Sequence, residues 1–133
     1  MRRIITCIVV ALCVLAVIAV AAAQVPRQNP ATFGEKQWND LFLTVAPLPF
    51  AQRIAVWADL LAVDSRYAVD PLGEGVGAVP DADPLIDLQR VDCQTYVEQV
   101  YALALARDYA DFAATLQRIR YRDGEIGYLS RNH

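Results

Sequence analysis

Apolar residues recur along this chain at helical spacing in four stretches, each bounded by a stop or a cap. Trp38, Leu41, Phe42 and Val45 fall on one helical face after Thr32 or Gly34, and Pro47 with Pro49 ends the run. Ile54, Trp57, Leu60 and Leu61 share a face of a second helix over 50–63. Both tryptophans read as core packing rather than as ligand-stacking platforms. Residues 64–84 carry Pro71, Gly73, Gly75, Gly77, Pro80 and Pro84 and predict a loop. Residues 85–88 are apolar enough for a short strand leading into the next element. Asp92 is a good N-cap for a third helix, whose predicted buried face is Tyr96, Val97, Val100, Tyr101 and Ala104. Asp108 caps a fourth, with Phe112, Leu116 and Ile119 inward. Asp123-Gly124 is a turn signal, and residues 126–129 suggest the start of a strand.

The first 23 residues follow a different pattern. Arg2 and Arg3 precede an uncharged run over 4–20 that ends in Ala21-Ala22-Ala23 before Gln24. A positive start, an apolar stretch and small residues at its end predict a secretory signal peptide cut after Ala23. The alternative is an uncleaved anchor, since the stretch nearly reaches spanning length. Residues 24–33 form a polar, proline-bearing spacer, and 34–133 a single domain. Cleavage removes Arg2 and Arg3 and leaves 10 basic against 15 acidic residues, a net charge of −5. A mildly acidic domain without a basic stripe is a poor partner for nucleic acid. Contact with a membrane is expected only through the signal peptide, before cleavage.

Of three cysteines, Cys7 and Cys13 lie in the apolar run, so Cys93 alone remains in the mature chain. An exported protein with one cysteine has no internal disulfide to form. If Asp92 is the cap, Cys93 opens a helix, where free backbone N–H groups and the positive dipole end favour a thiolate. A thiolate there is suited to nucleophilic catalysis, and the same N–H groups suit an oxyanion. Asp92 opposes this with its own negative charge. The other reading of Cys93 is a small buried side chain. The one histidine, His133, is the only imidazole available as a base. No His/Cys cluster has zinc-ligand spacing, and no cofactor is expected.

Three blocks together resemble a known family. They are Asp92-Cys93-Gln94-Thr95-Tyr96-Val97-Glu98, then Ile119-Arg120-Tyr121-Arg122-Asp123-Gly124, then Ser130-Arg131-Asn132-His133. They are similar in order and spacing to the N-acetylmuramoyl-L-alanine amidase-like family, a bacterial family of unknown function related to NlpC-type cell-wall cysteine peptidases. Its members carry Asp-Cys-x-Thr-Phe-x-Glu, Ile-Arg-Tyr-x-x-Gly and Ser-Arg-x-His. The likeness spans residues 34–133 and is strongest after Leu85. Tyr96 stands where the family has phenylalanine.

The resemblance implies an α+β fold, the mainly helical N-terminal half of a papain-like (NlpC-like) domain. It implies Cys93 as nucleophile and His133 as general base. Thr95 and Glu98 would hold the helix start, and Tyr128, Ser130 and Arg131 would shape the approach to His133. The implied substrate is an amide bond of peptidoglycan or a muropeptide, which suits an exported, periplasmic or secreted protein. Family members continue past the histidine, so the resemblance also implies a domain truncated before most of its sheet. The alternative function is a non-catalytic helical module that binds cell wall or a partner.

Overall fold

The computed structural model describes residues 28–132. They form a mainly helical α+β arrangement of four α-helices and one two-stranded parallel sheet. Helix α1 is Glu35–Val45, α2 is Phe50–Ala62, α3 is Cys93–Leu105 and α4 is Tyr109–Arg120. Strand β1 is Arg66–Tyr67 and β2 is Arg90–Val91, paired Arg66 to Arg90 and Tyr67 to Val91. Single 3-10 turns occupy Pro30–Thr32, Arg122–Gly124 and Tyr128–Ser130. The expected signal peptide, and His133, lie outside the described residues.

The helix boundaries have local causes. Gly34 opens α1, with its N–H donating to Gln37 Oε1 at 3.0 Å. Pro49 opens α2, and its carbonyl accepts from Gln52 N at 2.9 Å and Arg53 N at 3.0 Å. Asp108 caps α4 by accepting from Asp111 N at 2.8 Å. Arg118 and Arg120 lie in the last turn of α4, where the dipole favours cations.

Helix α3 packs between α2 and α4. Trp38, Leu41, Phe42 and Val45 of α1, Trp57, Leu60 and Leu61 of α2, Val100 and Leu103 of α3, and Phe112 and Leu116 of α4 close one core. Trp38 stacks on Trp57 with ring centroids 6.1 Å apart and on Phe42 at 6.0 Å. Both tryptophans are therefore core residues.

Five expectations are corrected. Residues 85–88 are not a strand. Asp87 Oδ1 accepts from Gln89 N and from Arg90 N, each at 2.9 Å, and this side-chain turn places the strand at Arg90–Val91 instead. Its partner, β1, lies inside the stretch read as loop. Residues 126–129 turn rather than extend, and an isolated antiparallel bridge joins Tyr121 to Arg131 on either side of them. Val97 and Tyr101, expected inside, are 51% and 45% exposed. With neighbours on two sides, α3 turns Thr95, Gln99, Ala102 and Leu103 inward instead. Residues 29–32, read as spacer, join the fold: buried Asn29 Nδ2 donates to Val63 O at 2.8 Å and Leu88 O at 2.9 Å.

The long connection between β1 and β2 folds back on itself. Gly73 N donates to Pro84 O at 3.1 Å, and Gly75 N donates to Asp83 O at 2.9 Å. A Cβ at Gly73 would run into the Asp81 carboxylate and approach Asp83 N to 2.8 Å, so only glycine fits this crossing.

One core position is polar without compensation. Gln99 is fully buried, and neither its Oε1 nor its Nε2 has a partner among the described residues. A buried amide that makes no hydrogen bond costs stability. Gln99→Leu is expected to raise stability by about 1 kcal/mol or more. Chemical denaturation checks this, and a lower midpoint for the variant would mean that the amide is satisfied by a trapped water.

Candidate active site at the start of the third helix

The local sequence sets the geometry at Cys93. Asp92 has extended backbone dihedrals (φ −105°, ψ −177°) and caps α3. Its Oδ1 accepts from Thr95 N at 2.7 Å and from the Thr95 hydroxyl at 2.9 Å. The Thr95 Oγ1 in turn accepts from Asp92 N at 3.0 Å, which closes a capping box. Cys93 is the first residue of the helix and its side chain is exposed. That exposure removes the buried-cysteine alternative. The box has a cost for chemistry, because it commits the Thr95 N–H that the sequence left free for an oxyanion.

Burial pushes the Asp92 carboxyl up. Hydrogen bonds from the Thr95 amide and hydroxyl, and from the amides of Gln94 and Asp70, outweigh it and hold the group below its ordinary value. Asp87 behaves alike, with burial outweighed by hydrogen bonds from Arg90 and Gln89. Asp81 is lowered chiefly by its hydrogen bond from Arg131. A carboxyl with a depressed folded value stabilises the fold above its unfolded value, and that contribution is lost as pH falls through the folded value. The urea midpoint is therefore expected to hold steady from neutrality to about pH 5 and to fall below about pH 4. Denaturation across this range checks it, and a midpoint that rises on acidification contradicts it.

A pocket of about 290 Å³ lies at the start of α3, with Asp92 and Gln94, the sequence neighbours of Cys93, in its wall but not Cys93 itself. Asp92, Gln94, Thr95 and Glu98 line it from α3, Asp70 from the loop and Arg120 from the end of α4. Arg120 is 4% exposed. It donates through Nη2 to Leu72 O at 3.1 Å, and its Nε lies 3.9 Å from Glu98 Oε2. Sequence reasoning quoted Arg120 within a motif without a role, and gave Asp70 none. No local signal marks Asp70, since its place on the pocket is decided by the fold of the loop.

The remaining predicted residues sit together on the C-terminal segment. Arg131 Nε is 2.7 Å from Glu74 Oε1, Nη2 is 2.5 Å from Asp81 Oδ2, and Nη1 is 3.6 Å from Asp70 Oδ2. Its guanidinium lies 4.9 Å over the Tyr128 ring. Ser130 Oγ donates within its own turn, 2.7 Å from Gly127 O. Tyr121 O–H donates to Gly73 O at 3.0 Å, and Asn132 N donates to Arg120 O at 2.8 Å. The segment is thereby tied to the loop and to the end of α4. Asp70 joins the two groups, since it both lines the pocket at the start of α3 and pairs with Arg131. His133 follows this tied segment directly in sequence.

Among the described residues no group of His, Cys, Asp and Glu side chains is arranged to hold a metal ion. No helix among them is long and apolar enough to cross a membrane.

A mainly helical α+β domain with one exposed cysteine at a capped helix start narrows the class to proteins built around that helix. The family described as AmiA-like, N-acetylmuramoyl-L-alanine amidase-like, matches residues 61–133, and the chain belongs to that family. The crystal structure of a Legionella pneumophila protein, from a family of unknown function, is similar to it. The TM-score is 0.67 at 32% sequence identity, over 74% of this chain and 33% of the other. The chain thus spans about one third of that protein's length. No curated protein matches the chain.

Proposed function

We propose that the protein acts in hydrolysis of an amide bond of peptidoglycan, with Cys93 as nucleophile and His133 as its base. The observation that supports this most is the exposed thiol at the first position of a capped helix, in a member of an amidase-like family. The helix dipole favours the thiolate, which attacks the amide carbonyl. The C–N bond breaks, the departing amine takes a proton from the imidazolium of His133, and water hydrolyses the thioester. Thr95 fixes the helix start, and Arg131 holds the segment preceding His133. The reading includes a papain-like (NlpC-like) arrangement of cysteine and histidine, and export by the N-terminal apolar segment to the periplasm or beyond.

The test is digestion of purified muropeptides by the full chain and by Cys93→Ala, with released amine measured. Replacing a nucleophile is expected to lower turnover roughly 10³-fold or more. Equal release from the two removes Cys93 from the mechanism. No release from either favours a non-catalytic module that binds cell wall or a partner.

A further inference from the structure

Asp70 sits in the left-handed region of backbone space, with φ +46°. Glycine and asparagine serve that conformation as well as aspartate does, so the turn alone does not call for a carboxylate. Stability does not call for one either. The Asp70 side chain is 63% exposed and lies 3.6 Å from Arg131 Nη1, and an ion pair with one partner in water adds little. Arg131 is already held by Glu74 at 2.7 Å and Asp81 at 2.5 Å, both far less exposed.

What Asp70 adds is a connection. Tyr67 pairs with Val91, and Ala68 N donates to Val91 O at 3.0 Å. These contacts bring the chain after β1 alongside the residues that precede Cys93. The Asp70 amide is among those that donate to the Asp92 carboxylate, and both residues line the pocket at the start of α3. Glu74 and Asp81 fasten Arg131 to the loop between the strands, but neither lines that pocket. Asp70 therefore touches both the cap directly before Cys93 and the cation two positions before His133.

We infer that Asp70 is a positioning residue for the proposed reaction: its carboxylate orients Arg131, and through it the segment that carries His133, against the start of α3. Asp70 acts through Arg131 and transfers no proton itself. Small errors in the placement of a base cost rate steeply, so a contact of little worth to stability can matter for chemistry. The inference rests on the reading of Cys93 and His133 as nucleophile and base.

The test is a cycle of four full-length chains: the parent, His133→Ala, Asp70→Asn and the two substitutions together. The rate of Cys93 alkylation by iodoacetamide is followed across pH. It is read on the Cys93 peptide by mass spectrometry, so that Cys7 and Cys13 do not contribute. An imidazolium near a thiolate brings thiolate formation to lower pH, so His133→Ala is expected to move the parent profile up by about one pH unit or more. In the Asp70→Asn background the same substitution should move it by roughly half as much or less, because a misplaced pair is screened by water. Asp70→Asn keeps the turn and the amide but not the charge, and any direct effect of that charge on the thiol cancels in the difference. The urea midpoints of the parent and Asp70→Asn should agree. Should Asp70→Asn fail to fold, Asp70→Gly, which suits the positive φ and also lacks the carboxylate, takes its place with the same expected result. Equal displacement by His133→Ala in both backgrounds overturns the inference and leaves the pairing of Cys93 with His133 standing. No displacement in the parent overturns both. A displacement lost only together with a lowered urea midpoint makes Asp70 a structural residue and overturns the inference as well.

Discussion

Arg131→Ala is expected to destabilise the domain by about 3–5 kcal/mol, the range for removing one partner of a buried ion pair. The Arg131 side chain is 6% exposed and that of Glu74 is 4%. Its guanidinium spans Glu74, Asp81 and Asp70 and covers the Tyr128 ring. Removing it strands Glu74 without a cation, and Glu74 Oε2 already lacks a partner. The loss therefore exceeds the value of the contacts, because the charge left behind stays desolvated. Arg131→Lys should recover only part of it, since an ammonium cannot reproduce the fork that reaches two carboxylates at once. Glu74→Gln in the Arg131→Ala background should restore some stability by removing the stranded charge. Thermal and urea unfolding measure all three variants. A loss under about 1 kcal/mol for Arg131→Ala would mean that the loop is held by its backbone bonds instead.

Trp57→Ala is expected to cost about 3–5 kcal/mol, enough to leave a domain of this size close to unfolding. Trp57 is fully buried, and its ring lies 5.1 Å from Phe42 and 6.1 Å from Trp38. It thus joins α2 to α1 at the centre of the aromatic cluster. Truncation to a methyl leaves a cavity that neighbouring rings cannot fill without leaving their rotamers. Leu43→Ala, on the same α1 as Trp38 but 74% exposed, is the control and should change stability by less than about 0.5 kcal/mol. Equal losses at the two positions would mean that the aromatic cluster is not the centre of the core.

The four helices were legible in the chain because their signals are local. Period-3.6 apolar spacing, the stops at Pro47 and Pro49, and the caps at Asp92 and Asp108 act within a turn or two of the residues they govern. The placement of Cys93 at the first helical position is of the same kind, since the reciprocal bonds of Asp92 and Thr95 span three residues. So the chain's own pattern determined the helices and the setting of Cys93.

What joins those elements was decided only by tertiary structure. The parallel pairing of β1 with β2 links residues 24 apart, and two-residue strands carry no periodicity to detect. The inward face of α3 depended on which neighbours pack against it. Val97 and Tyr101 satisfy helical spacing as well as Val100 does, and only packing against α2 and α4 leaves the first two outside. The pocket wall draws Asp70, Glu98 and Arg120 from three separate segments. The clamp reaches from Arg131 back to Glu74, 57 residues away. A charged residue reads as solvated in a sequence because most are. Arg120 and Arg131 are buried because the fold brings carbonyls and carboxylates to them from across the chain, and those partners exist only once the loop has closed.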